Sequence, residues 1–448
     1  MADRPNILWI CTDQQFAGAM SCAGNDDLET PHLDRLAAEG IRFEEAYCMN
    51  PLCVPSRGSI HTGRPSHETG MTDNENGLPA AYHDQTLGHL LSDVGYECAY
   101  AGKWHVRGFD QADSGYEVLC GQFDPDVADH CIEFLERDHD SPFLLAAHYD
   151  DPHNICEWAR DQNLPWGNIE RPPVTECPNL PANYYPPPFE PSHLRREMYA
   201  RTETLGAMAD ASPEEWRQYR YAYFRLVERV DREVGRILDS LEEQGLRENT
   251  VVVFTSDHGD GHGAHQINQK WLLYEEETRV PLLVAGPDVP AGRTDNHLVS
   301  TGLDLLPTIC SYADREPPAD LRGLNLRRLY HEEDPDWRDW LVVQTYEPIE
   351  GRAVRTDQYK YIVYEHGQQR EQLFDMRADR GEMVDLSMDA THEDILEEHR
   401  DLLLEWCAET GDMFAERYPK DAPLIPGRDL RELQEYVRAR QDDAEKQT

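Results

Sequence analysis

Four apolar runs of strand length each stop at a cluster of polar residues, and this arrangement constrains the fold more than any other feature of the chain. NILWIC (6–11) leads into Asp13 and Gln14, and ECAYAG (97–102) leads into Lys103 and His105. PFLLAAHY (142–149) carries His148 and leads into Asp150, Asp151 and His153. VVVFTS (251–256) leads into Asp257, His258, Asp260, His262 and His265. Continuous apolar runs of this length suit strands buried on both faces. Helical patterns lie between them: HLDRLAAEG (32–40), and the long amphipathic stretch 214–245, which Gly245 is placed to cap. Strands alternating with helices imply a large mixed, mostly parallel sheet flanked by helices, the α/β class. Open sheets of that class bind ligands at the carboxyl ends of their strands. If these strands are neighbours, their tips gather carboxylates, imidazoles and a lysine in one crevice.

The rest of the chain divides by pattern. Residues 155 to about 200 are rich in proline and read as a long irregular excursion, the kind of loop that shapes binding sites. From about residue 340, WLVVQTYE, GRAVRTDQYKYIVYEHG and EQLFDM alternate as antiparallel strands do, and HEDILEEHRDLLLEWCAET follows as a helix. The expected organisation is a catalytic α/β domain over 1–340 and a smaller C-terminal antiparallel α+β subdomain over 341–448. The last 25 or so residues are charged and are expected to form a surface helix or to fray.

Charge limits the partners. Acidic residues number 86 against 42 basic ones, a net charge of -44. Such a surface argues against nucleic acid or an anionic membrane as partner. Its self-repulsion is best tolerated where salt screens it, so a high-salt, halophilic setting is expected. No signal peptide is visible and no apolar run approaches the ~20 residues of a membrane span, so a cytoplasmic location is the expectation. The 11 cysteines include no CxxC pair and are odd in number, which argues for buried free thiols rather than a disulfide framework.

Taken singly, each polar cluster could be turn formers, helix caps or satisfied histidines. Four in the same topological position point to a site. Asp13, Gln14, Asp257 and His258 together offer two carboxylates, an amide oxygen and an imidazole to one divalent cation. The hard oxygens suit Ca2+ or Mg2+, while the imidazole also admits Mn2+ or Zn2+. NPLCVPSRGSI (50–60) adds a different signal. Pro55 marks a helix start, which puts Cys53 at a helix N-terminus where negative charge is favoured. A thiolate there is reactive, and a cysteine hydrolase with a histidine base is one reading. That reading pairs a thiolate nucleophile oddly with a divalent cation, and it leaves the Cys-x-Pro-x-Arg spacing unexplained.

PLCVPSRGSIHTG (51–63) resembles the signature of type I sulfatases, in the alkaline phosphatase superfamily, and GYECAYAGKWH (95–105) resembles their second signature. The resemblance continues through SDHG (256–259), QKWLLYEEETRVPLLV (269–284) and RTDQYKYIVYE (355–365), and so spans most of the chain. It implies an alkaline phosphatase-like fold and conversion of Cys53 to formylglycine by a formylglycine-generating maturation enzyme that reads Cys53, Pro55 and Arg57. It implies one Ca2+ per chain, with Mg2+ or Mn2+ as alternatives, held by Asp13, Gln14, residue 53, Asp257 and His258. The implied reaction is hydrolysis of a sulfate ester to an alcohol and inorganic sulfate. Arg57 and the metal would ionise one hydroxyl of the hydrated aldehyde, and Lys103, His153 and Lys270 would bind the sulfuryl oxygens. His153 or Lys270 would serve the leaving oxygen. His105 would take the proton of the second hydroxyl as sulfate departs and the aldehyde returns. Lys103 and Lys270 gain weight because the chain has only five lysines.

Several positions depart from the family's pattern: Val54 for a small residue, His61 for an apolar one, Cys98 for serine or threonine, Gln14 for a second aspartate and His258 for asparagine. The Asp-Gln and Asp-His pairs resemble branches that include choline sulfatases and phosphonate monoester hydrolases. A phosphonate or phosphate ester hydrolase using the same formylglycine is therefore the alternative, although Lys103 with His105 favours sulfate. A non-catalytic binder of sulfated ligands, with Cys53 unmodified, is a further reading. The expected substrate is a small or carbohydrate sulfate ester. His67, His148, Asp260, His262 and His265 fit supporting, substrate-facing or ordinary structural roles equally. Nothing in the sequence indicates an oligomeric state.

Overall fold

The computed structural model describes residues 4–192, 194, 206–347 and 349–419. In chain order its first ten strands are β1 (Asn6–Asp13), β2 (Ile41–Phe43), β3 (Ala46–Tyr47), β4 (Glu97–Gly102), β5 (Glu117–Cys120), β6 (Phe143–Pro152), β7 (Thr250–Ser256), β8 (Leu282–Ala285), β9 (Arg293–Asp295) and β10 (Val299–Ser300). Eight of them form one sheet in the order β5-β4-β6-β1-β7-β8-β2-β9, and β3 pairs with β10 apart from it. Every pairing within the large sheet is parallel except those of β8, which runs antiparallel to both β7 and β2. The four apolar runs are thus adjacent and parallel, as β4, β6, β1 and β7.

The continuous apolar character of β1 follows from cover on both faces. The helices are α1 (Pro31–Glu39), α2 (Cys53–Thr62), α3 (Leu87–Ser92), α4 (Val127–Leu135), α5 (Pro213–Glu243), α6 (Thr301–Tyr312) and α7 (Glu393–Thr410), with shorter turns between them. Ile7, Trp9 and Cys11 pack with Ile60 of α2, Leu90 of α3 and Leu305 of α6. Leu8 and Ile10 pack with Leu36 of α1, Phe134 of α4 and Val234 of α5. Each large side chain so buried contributes about 1.5–3 kcal/mol. The long helix α5 begins in a capping box, Ser212 with Glu215, and the chain leaves it through Gly245 at φ 68°.

Two strands run further than their apolar runs. β1 extends to Asp13, and β6 extends through His148, Asp150 and Asp151 to Pro152. Asp13 therefore ends the strand rather than following it, and it pairs with Pro152 across a register shift. Of these polar residues His148 is paired on both sides, to Cys11 and Gly102, while Asp13 is paired to β6 alone.

The described part of the proline-rich stretch contains a short helix (Ile155–Ala159) and a 3-10 turn (Val174–Glu176); residues 193 and 195–200 lie outside the described residues, as do the charged residues beyond 419. A second, antiparallel sheet comprises β11 (Trp340–Thr345), β12 (Gly351–Thr356), β13 (Tyr359–Tyr364) and β14 (Glu371–Asp375) in sequential order. One of its faces packs on Tyr47, Leu52 and residues 271–274, and α7 covers the other. All eleven cysteines are free. Among the described residues no helix is long and apolar enough to cross a membrane.

Candidate active site

Cys53 opens α2, behind an extended Leu52, and is 1% exposed. Its sulfur lies 3.2 Å from His258 Nε2, 3.2 Å from Lys270 Nζ and 3.8 Å from Asp13 Oδ1. Three separate stretches, the tip of β1, the loop after β7 and the loop before β8, thus meet at the first residue of a helix. Burial and Asp13 oppose ionisation of the thiol. Lys270, His258 and a hydrogen bond from His105 outweigh them and hold its pKa well below the usual value.

Arg57, one turn along α2, lies on the same face. Its Nε donates to Asp257 Oδ2 at 2.8 Å, its Nη1 donates to the Lys103 carbonyl at 2.9 Å, and its Nη2 lies 3.5 Å from Asp13 Oδ2. Lys103 Nζ lies 2.7 Å from both Asp13 Oδ2 and Asp150 Oδ1. Gly102 makes that placement possible: at φ 93° it presses so close to the His148 carbonyl that a Cβ would sit 1.9 Å from the oxygen. Lys270 Nζ donates to Gln14 Oε1 at 2.7 Å. Burial works to raise the Asp13 pKa, but Lys103, His153, Lys270 and His258 together hold it well below the carboxylate range. Burial and the charge of Asp13 push Asp257 up.

One donor atom each from Asp13, Cys53, Asp257 and His258 lies within 4.8 Å of the others, all buried. That spacing suits donors arranged around a single ion, which they would approach to roughly 2.0–2.6 Å. Asp13 Oδ2 has ion-pair neighbours but no hydrogen bond at a favourable angle. His258 Nδ1 faces the Gly259 carbonyl at 2.9 Å, which turns Nε2 toward the carboxylates. Two clustered carboxylates and an aimed imidazole fit a divalent cation.

Gln14 stands beside this group at φ 71°; its amide nitrogen donates to Asp260 Oδ2 at 2.6 Å, leaving Oε1 toward Lys270. Asp260 also accepts from Tyr219 and from the His262 and Gln269 amides, so it orients Gln14 from behind. His105 adjoins the Cys53 sulfur, and His153 lies close enough to Asp13 and Asp150 to act on their charge. Both are half-buried, so they form the more open side of the centre.

The remaining histidines separate. His148 sits under the site, with Nδ1 2.5 Å from the Tyr100 hydroxyl and 3.3 Å from Arg57 Nη1. His61 packs between Trp9, Trp104 and His148, and burial together with Arg57 drives its pKa to about 3. It stays neutral and packs as an apolar side chain would. His67 pairs with Gln344 and the Thr410 carbonyl, tying the chain after α2 to the end of α7 away from the site. His262 meets Arg220 of α5 at 2.5 Å and packs on Phe16. His265 stacks on Tyr274.

Asp150, Ser56 and Tyr223 also belong to the site. Ser56 Oγ donates to the Asp257 carbonyl and Tyr223 Oη to the Gln14 carbonyl. Asp150 stands in the polar cluster at the end of β6, and Ser56 within the Cys-x-Pro-x-Arg stretch. Tyr219 and Tyr223 fall on the buried face of α5, where a helical pattern reads simply as core.

Comparison with known proteins supplies the context. A family model described as Sulfatase matches residues 5–315, and one described as N-sulphoglucosamine sulphohydrolase, C-terminal, matches residues 263–409. An N-acetylglucosamine-6-O-sulfatase of Bacteroides thetaiotaomicron is 30% identical, over 85% of this chain and 82% of its own length. A Delta 4,5-hexuronate-2-O-sulfatase of the same organism is 30% identical, over 92% of this chain and 90% of its own. The solved structure of a 2-O GAG sulfatase superposes with a TM-score of 0.84 at 28% identity, covering 92% of this chain and 94% of that one.

Proposed function

From the premise that this chain belongs to the sulfatase family and hydrolyses sulfuric esters, we propose that its substrate is a sulfated carbohydrate and that its nucleophile is made from Cys53. The observation that carries the reading is the setting of the Cys53 sulfur: it is buried among donor atoms of Asp13, Asp257 and His258, with Lys270 Nζ 3.2 Å away, while Arg57 and Lys103 pair with those carboxylates. Uronate and glucosamine sulfates are the named substrates of the relatives matched over most of their length, which supports the carbohydrate class.

The donors that would hold the metal are Asp13, Gln14, Asp257 and His258, with residue 53 beside them. Their hard oxygens favour Ca2+, with Mg2+ and Mn2+ as competitors. Oxidation of Cys53 to formylglycine would supply a hydrated aldehyde as nucleophile, and the cation would lower the pKa of that hydrate and draw charge from the sulfuryl oxygens. This chain's own residues do the rest. Arg57 keeps its charge toward both Asp13 and Asp257, so the carboxylates stay fixed while negative charge accumulates at residue 53. Lys103 and Lys270 flank residue 53 and offer fixed ammonium groups to the sulfuryl oxygens, where charge builds in the transition state.

Burial alone would lower the Lys270 pKa, but Cys53 and Asp13 raise it well above its ordinary value. Lys270 therefore keeps its proton and stabilises charge, and His153, on the open side, protonates the departing alcohol oxygen as the sulfur–oxygen bond breaks. His105, beside residue 53, accepts the proton that must leave for inorganic sulfate to be released.

Mass spectrometry of the peptide containing residue 53 tests the nucleophile. Turnover of 6-O- and 2-O-sulfated glycosaminoglycan fragments, set against an aryl phosphonate monoester, tests the substrate. Unmodified Cys53 in active enzyme, or a preference for the phosphonate, rejects the reading.

A further inference from the structure

The loop that delivers Lys270 has an unusual backbone. His262, His265, Gln266, Gln269 and Trp271 all have positive φ, from 31° to 94°. Non-glycine residues rarely adopt such values unless their surroundings impose them. Some of the restraint is plain. Asp260 accepts from the Gln269 amide, the Glu277 carboxylate accepts from the Leu272 amide at 2.5 Å, and Gly259 lies so close to the Glu276 carbonyl that a Cβ would be 2.0 Å from it.

On the far side of the loop, His265 meets two acids. His265, Glu276 and Glu382 each offer a donor atom, and these atoms lie within 4.8 Å of one another. The three come from different places: the loop itself, the turn before β8, and the segment after β14. His265 and Glu382 are buried. Glu276 Oε2 is buried with no hydrogen-bond partner, while its Oε1 accepts from Asn183. Lys360 Nζ lies 2.9 Å from Glu382 and 3.1 Å from Glu275, Arg279 lies 3.2 Å from Glu275, and Arg355 and Arg380 also act on Glu275. Glu382 Oε2 accepts from the Glu275 amide at 2.7 Å, and among the described residues no ion pair reaches Glu276. Burial raises the pKa of Glu382 to about 8 and raises that of Glu276 as well. A cavity of about 440 Å3, lined in part by Asn183, Glu276, Arg279, Arg380 and Gly381, reaches Glu276 from solvent.

We propose that His265, Glu276 and Glu382 bind a second divalent cation, which ties the Lys270 loop to the segment following β14. Two carboxylates and an imidazole suit Mn2+, Ca2+ or Zn2+. The ion would satisfy Glu276 and hold the strained loop, and hence Lys270, in place. The competing account is a proton shared between Glu276 and Glu382, with no ion at all.

Counting metal separates the two and needs no turnover, so the result is independent of the sulfatase mechanism. An Asp13→Asn/Asp257→Asn protein, in which the catalytic donors are removed, is stripped with EDTA and equilibrated with Mn2+. Bound Mn2+ is counted by electron paramagnetic resonance, and hydrogen exchange is followed over residues 259–274. The expected results are one Mn2+ per chain and slower exchange in the loop, both lost on adding Glu276→Gln. Wild-type protein binds two. Glu382→Gln replaces Glu276→Gln if the latter does not fold. No Mn2+ in the folded Asp13→Asn/Asp257→Asn protein, a wild-type count of one, or binding that survives both Glu276→Gln and Glu382→Gln overturns the proposal.

Discussion

Replacing Lys103 with methionine removes an ammonium group that lies 2.7 Å from both Asp13 and Asp150, while its side chain is only 2% exposed. Taking one partner from a buried ion pair costs about 3–5 kcal/mol, because the other charge is left without compensation. A second route gives a similar figure. Neutralising one stranded aspartate at pH 7, from an ordinary pKa near 4, takes about 4 kcal/mol. Urea unfolding of Lys103→Met should therefore show a loss of about 4 kcal/mol at pH 7.

The pH dependence follows from the wild-type carboxylates. Burial works to raise the pKa of Asp13 and of Asp150, but Lys103 first, then His153, hold both below their ordinary value. Their contribution to stability is present above about pH 4 and is lost as pH falls through the depressed folded values. The gap between wild type and variant should accordingly narrow toward acid. Adding Asp150→Asn to Lys103→Met removes one stranded charge and should restore roughly half of the lost stability.

Activity should not follow. If Lys103 also serves the sulfuryl oxygens, kcat/KM falls by on the order of 10²–10³ and stays down in the double variant. A double variant that regains both stability and kcat/KM would show Lys103 to be a counter-ion for Asp150 alone, and the catalytic assignment would fail.

Cys53→Ser should fold with a Tm near that of the wild type yet turn over sulfate esters at a small fraction of its rate, as read by sulfate release; full activity in that variant removes the formylglycine premise. Asp231 caps α1 through the His32 and Leu33 amides, and burial, working against those bonds, raises its pKa to about 6. The folded state then binds more protons than the unfolded state between about pH 4 and 6, so stability should fall across that window by up to about 3 kcal/mol. Asp231→Asn should flatten that part of the curve in urea titrations; an unchanged slope rejects the assignment. With a net charge of -44, the folded state should gain several degrees in Tm between 0.1 M and 2 M KCl as screening takes hold, and a flat salt profile by calorimetry argues against a high-salt adaptation.

Much of this architecture is local chemistry, and the sequence carries it directly. Unbroken apolar runs mark strands covered on both faces, and Ile7, Trp9 and Leu8, Ile10 do face opposite cores. Pro55 and the following residues set the start of α2, which puts Cys53 and Arg57 on one face whatever the rest of the chain does. In a chain with five lysines, Lys103 and Lys270 follow strand tips or site loops, and both approach residue 53 or its partners.

Other features depend on contacts that no short window contains. Lys270 reaches Cys53 across 217 residues of sequence and Arg57 reaches Asp257 across 200. The order β4-β6-β1-β7 had to exist before four polar tips became one site. Only in the folded chain does Asp150 become the counter-ion of Lys103, Asp260 the support for Gln14, and Tyr223 a donor to the Gln14 carbonyl. The reason is physical. Periodicity and capping report energies between residues a few positions apart. The charge state of a buried carboxylate depends on which cations lie within a few ångströms, and tertiary packing alone decides that.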